Sequence, residues 1–247
     1  MLPLTESMRA PGHGRTACKR MRLSAFHIIP IALALSLASC VTTSLSDPNG
    51  RGHGSDLDLH SLTGIDDRNT GEAAIAAATD RRGKLPARGA RILLVQSGAY
   101  QPDAELVAAF RPFCDPVLWD GQRAETENDA PDRGAGRRLR LAAARQGCSH
   151  VVVVLGEIQS DSRALPTAAL TWVPIAGDII PGQISGTRLV ARALVMETRA
   201  DRWQLLDAAP RETRGLQSEY GRGTVNGRRA ARLKAQAYPE LAARCFP

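Results

Sequence analysis

Apolar residues fall into three regimes along the chain. From Leu23 to Ala38 they run on with only Ser24, His27, Pro30 and Ser36 between them. From 41 to 88 they show no sustained period. From Gly89 onward, short apolar runs alternate with amphipathic stretches. Arg91–Gln96 (RILLVQ) predicts a buried strand. Asp103–Arg111 predicts a helix with Leu106, Val107 and Phe110 on one face, stopped by Pro112. Pro116–Trp119 predicts a short strand, and 121–136 a polar loop. Arg137–Gln146 predicts a second helix, with Gly147 placed for a left-handed C-cap. His150–Gln159 (HVVVVLGEIQ) is the strongest strand, and its unbroken run predicts a central position covered on both faces. Thr187–Thr198 and Trp203–Ala208 predict a hairpin turning at 199–202. A polar loop is expected over 210–226. A terminal helix is expected over Arg228–Arg244, with Ala230, Leu233, Ala237 and Leu241 on one face, kinked or split at Pro239.

This order predicts an α/β domain over 89–247, a mixed β-sheet with flanking helices in two or three layers. Residues 40–88 are rich in Gly, Ser, Thr, Asp, Asn and Arg, which predicts a flexible, disordered tether. Within it Glu72–Thr79 is the one Ala-rich stretch able to form a short helix.

The apolar run 23–38 spans 16 residues, short of the ~20 that a spanning helix needs. Lys19, Arg20 and Arg22 precede it, as in a signal peptide. It ends in Leu37-Ala38-Ser39-Cys40, which resembles the lipobox of bacterial lipoproteins. The resemblance implies a diacylglycerol on the Cys40 thiol, cleavage between Ser39 and Cys40, and acylation of the new amino terminus. The signal peptide is then 1–39, or Met21–Ser39 if Met21 is the true start. The alternative is an ordinary secretory signal cut nearby, with Cys40 incidental. Val41, not Asp, follows the cysteine. By the family's sorting rule this implies the outer membrane, with the protein facing the periplasm. Each buried CH₂ contributes ~0.8 kcal/mol, so three acyl chains would hold the protein essentially permanently.

The later part of the chain loosely resembles small α/β domains of bacterial envelope lipoproteins. The shared features are a buried strand, a long excursion, then strands flanking a turn, here VARALVMETRADRWQLLD. Many of those proteins carry Thr-Gly in that turn, where this chain has Ala200-Asp201.

Charge removes one class of partner. The chain holds 32 basic and 25 acidic residues, a net of +7. Five of the basic and one of the acidic side chains lie in 1–39, which leaves 27 against 24. A net of about +3 with no basic-aromatic interleaving does not make a nucleic-acid surface.

Catalytic patterns are missing from the sequence. There is no G-x-S-x-G elbow, no CxxC and no zinc-ligand spacing, so no metal or cofactor is expected. Beyond the signal the histidines are His53, His60 and His150. Glu157 is the one acid on the central strand, expected to point outward. Cys114, Cys148 and Cys245 remain besides Cys40. An oxidising compartment favours one disulfide, and Cys114–Cys245 is the expected pair because each ends a helix. The excursion 164–185 carries Trp172, Ile175, Ile179 and Ile180 among three prolines, too broken for a long helix and too apolar for a solvated loop. It is read as a lid on the domain's own sheet, a contact with a partner or sister subunit, or a contact with the bilayer. The leading expectation is a non-enzymatic envelope lipoprotein that binds a protein partner or self-associates. A periplasmic hydrolase acting on cell-wall or lipid material and a peptidoglycan-binding structural lipoprotein are the alternatives.

Overall fold

A computed structural model describes residues 39–45, 56–64, 76, 79–120, 134–165, 183–217 and 222–247. In chain order the elements are β1 (Ser39–Ser44), α1 (Leu59–Thr63), β2 (Arg91–Gln96), α2 (Ala104–Phe110), β3 (Asp115–Leu118), α3 (Ala135–Arg145), β4 (His150–Ala164), β5 (Gln183–Glu197), β6 (Trp203–Asp207), β7 (Arg211–Gln217) and α4 (Arg222–Cys245). The strands form one mixed sheet of seven, ordered β3-β2-β4-β5-β6, with β1 also on β4 and β7 also on β5. The fold is α/β, as expected.

Two 15-residue strands, β4 and β5, pair antiparallel along their whole length. Everything else flanks one half of them or the other. Around 150–156, β2 lies parallel to β4, and β3 parallel to β2. On the far side β6 pairs with 192–196 of β5. Around 157–164 the flanks change to β1 on β4 and β7 on β5, both antiparallel. The sheet therefore has a helix-covered half and a four-stranded extension, β1-β4-β5-β7.

Burial follows this division. Val151–Val154 are all buried, as a strand packed on both faces requires. One face meets α2 and α4 through Ile92, Leu94, Phe110, Val152, Leu189, Tyr238 and Leu241. The other meets α1 and α3 through Leu62, Leu93, Leu139, Ala143, Val151 and Met196. The architecture is thus three-layered. Gly147 has φ +69°, the expected left-handed exit from α3.

Two expectations need correction. First, residues 40–45, 56–64 and 79–88, expected in the tether, are part of the fold. Leu45 is fully buried in the main core, and its N–H donates to Gly156 O at 3.2 Å. Ser97 Oγ donates to Leu57 O at 3.0 Å and accepts from Leu57 N at 2.8 Å. Gly83 N donates to Trp203 O at 3.0 Å, beside β6. These segments are held by single apolar residues and by backbone bonds to distant elements, so no local period was needed. Most of Glu72–Thr79 lies outside the described residues.

Second, the described parts of 210–226 are not a loop: from Arg222 they already belong to α4. Arg211–Gln217 is a strand, because β5 runs far enough to offer it a ladder. Of the two outcomes expected at Pro239, a kink or a split, the split does not occur: α4 runs on through it. Pro239 is exposed while Tyr238, Leu241 and Ala242 are fully buried, so packing on both sides carries the helix across the missing donor.

A polar cluster ties the helices to the sheet. Lys234 Nζ donates to Asp103 Oδ2 at 2.6 Å. Gln96 Nε2 donates to the same oxygen at 3.0 Å, and Gln96 Oε1 accepts from Asp103 N at 2.8 Å. Tyr238 Oη reaches it at 3.4 Å. Burial, reinforced by the Asp103 charge, pushes the Tyr238 hydroxyl far above the ordinary phenol value.

Candidate functional site

Among the described residues, the sheet extension is covered on one side only. Ile158, Leu189 and Thr187 face α4 and are buried. At its end the Arg229 guanidinium, from α4, donates to Ser185 O at 3.1 Å and contacts Ser185 Oγ. The opposite face carries Glu157, Asp161, Arg163, Arg188, Glu212 and Arg214, all exposed. Glu157 points outward, as expected. Helix α3 covers only the other half of this face.

Cys40 lies in the edge strand of this open face and is exposed. Strand residues directly opposite one another share a face, and so do residues two apart. Cys40, Asp161, Gly186 and Arg214 are successive partners across β1, β4, β5 and β7. Two residues nearer the strand ends, Arg163, Ile184 and Leu216 form the next row on the same face. A Cβ on Gly186 would collide with the Asp161 carboxylate, which lies over that glycine. Gly186 and Cys40 flank Asp161 on opposite sides, so this carboxylate is turned away from the thiol.

Apolar exposure concentrates here too. Val41 is 52% exposed, Ile184 40% and Leu216 61%. Elsewhere among the described residues only Leu118 and Leu141 are large, apolar and exposed. Sequence reading missed Ile184 and Leu216 as a pair, since only the β5–β7 register brings them together. The sequence-selected Trp172, Ile175, Ile179 and Ile180 lie outside the described residues.

The expected Cys114–Cys245 disulfide is absent, and both thiols are free. They nevertheless share one core cluster. Burial pushes the Cys114 thiol up to about 11, with the Asp115 charge adding to it, and the Cys245 thiol up to about 12, with Cys114 contributing. Disulfide chemistry needs a thiolate, which this apolar setting suppresses. Cys114 Sγ instead donates to Phe110 O at 3.3 Å. Next to Cys245, Phe246 packs edge-on to Phe110 and stacks on Phe113. Cys148 is a third buried free thiol.

His150 is half-buried at the start of β4, with Nδ1 2.9 Å from Ser149 Oγ. Ser149 Oγ in turn donates to Arg91 O at 3.2 Å. Burial lowers the His150 pKa, opposed by the Lys84 backbone and by Glu197 opposite it. His150 and Glu157 stand seven residues apart on β4, so the fold does not bring them together. Among the described residues no group of His, Cys, Asp or Glu is arranged to hold a metal. No described helix is long and apolar enough to cross a membrane.

No curated protein matches the sequence. Among solved structures, a dodecameric PelC variant from Paraburkholderia phytofirmans is similar at 13% identity, covering 84% of this chain and 100% of its own, with a TM-score of 0.28. The YafT bacterial lipoprotein family matches residues 60–246, from α1 to the last turn of α4 and beyond. The chain therefore belongs to the YafT family of bacterial lipoproteins.

Proposed function

We propose that the protein is acylated at Cys40 after cleavage behind Ser39, is held at the periplasmic face of the outer membrane, and works there by binding rather than by catalysis. Its partner in this reading is another envelope protein or a second copy of itself. The observation that carries the proposal is the setting of Cys40. It follows a lipobox-like Leu37-Ala38-Ser39 and is exposed on an edge strand, beside the half of a sheet face that no described helix covers. Membership of a lipoprotein family supports the anchor. The mixed charges of the open face, with acidic and basic side chains interleaved, suit a polar protein contact more than an apolar ligand.

Two measurements test this. Metabolic labelling with an alkynyl fatty acid should mark the wild type, and Cys40→Ser should abolish the label. Crosslinking in intact cells should then capture a defined partner or dimer, and Arg188→Glu with Glu157→Arg should weaken the capture. Retention of the label in Cys40→Ser ends the anchor reading. Within 166–182, the apolar residues remain a sequence-based proposal for the same contact. Trp172→Ser with Ile179→Ser should change oligomer size or captured partners, and unchanged values exclude them.

A further inference from the structure

We infer that the end of the sheet extension is itself a membrane-contacting surface, with Ile184 and Leu216 entering the headgroup region and Arg163 and Arg214 meeting lipid phosphates. The inference rests on the anchor proposed at Cys40 and goes beyond it, because an acyl anchor alone does not say which part of a domain touches the bilayer.

The argument is one of register. Cys40 is the second residue of β1 and pairs with Asp161, three residues before β4 ends. In a chain cut before Cys40, the very next residue, Val41, already pairs with Ser160 of β4, so the acylated residue abuts the sheet directly. There is no spacer between lipid and fold. The rows Cys40-Asp161-Gly186-Arg214 and Arg163-Ile184-Leu216 then lie within about 15 Å of the lipid-bearing residue. Strands are spaced by about 4.8 Å, so each row is on the order of 10–15 Å wide.

The chemistry of those rows fits a bilayer. Ile184 and Leu216 are direct partners on one face, both well exposed. Val41, on the other face of β1, adds a third exposed apolar side chain at the same end. Arg163 and Arg214 flank the pair and both are exposed, the Arg214 guanidinium also donating to Glu212 at 2.6 Å, so Arg163 is the stronger phosphate contact. Apolar tips with basic neighbours are what an interfacial contact uses, the guanidinium staying at phosphate level while its stem lies along apolar surface. Continuity with the lipid-bearing row selects the bilayer over a soluble partner for these residues.

The test uses the acylated full-length protein in vesicles of phosphatidylethanolamine and phosphatidylglycerol. A nitroxide is placed at position 216 (Leu216→Cys) or, as control, on α3 (Leu141→Cys). The accessibility ratio of oxygen to a water-soluble nickel chelate is then read, and mass spectrometry of the same sample reports acylation of Cys40. The expected result is a ratio at 216 several-fold above that at 141. Acylated protein with equal ratios at the two sites overturns this inference alone. An unmodified Cys40 overturns the anchor reading and this inference with it.

Discussion

Lys234 Nζ lies 2.6 Å from Asp103 Oδ2, joining α4 to the start of α2 across 131 residues of sequence. The lysine side chain is only 8% exposed and the aspartate 22%. Removing one partner strands the other in a mostly dry setting. Lys234→Met is expected to cost about 2–3 kcal/mol, below the usual range for a fully buried pair because Asp103 keeps some solvent. Adding Asp103→Asn should recover part of that loss, since the uncompensated charge is gone. Denaturant unfolding of the two singles and the double gives the coupling directly. A double variant no better than Lys234→Met would refute this account.

Gly136 is expected to be intolerant of any side chain. A Cβ there would run into the Leu62 carbonyl of α1. Gly136→Ala should cost about 1–3 kcal/mol and raise amide exchange across α1. Gly134→Ala is the control, because a Cβ at 134 meets open space. Equal melting points for the two variants would mean that α1 does not dock on α3 as described.

Thiol chemistry offers a third check. With their thiols raised to about 11 and about 12, Cys114 and Cys245 should resist an aromatic disulfide reagent at pH 8 in the native state. Both should react once the protein is unfolded. Fast native labelling would place them at the surface instead.

Stability should depend on pH through His150. Burial holds its folded-state pKa below the ordinary value of 6.5, so the unfolded chain binds the proton more readily. The stabilisation from the neutral imidazole is complete above that value and is lost as pH falls through the lowered one. Melting temperature should therefore drop on acidification from about 6.5, and less steeply in His150→Gln. Identical slopes would remove His150 from the cause.

Much of the domain was legible because its core elements carry their own periodicity. RILLVQ and HVVVV are continuous apolar runs, and they are the buried parallel strands. Leu106, Val107 and Phe110 recur at helical spacing and are the buried face of α2. What failed to show was structure imposed from a distance. RETRGLQ reads as a loop and becomes β7 only because β5 supplies a ladder. Leu45 looks isolated in a polar segment and is fully buried. The Asp103–Lys234 contact has no local spacing at all. The lipobox-like motif ending in Cys40 is visible in the sequence, whereas its place on an edge strand depends on a partner 121 residues away, Asp161.

That edge strand has a mechanical consequence. On the proposed acylation of Cys40, the pairing of its neighbour Val41 with Ser160 in β4 would leave the lipid no leash, and the domain would not swing away from the bilayer. Whatever it recognises would then have to arrive within one domain's height of the bilayer, already gathered there or brought by its own anchor. Encounters would become two-dimensional, with lateral crowding in the membrane, more than intrinsic affinity, governing how often the open sheet face is occupied.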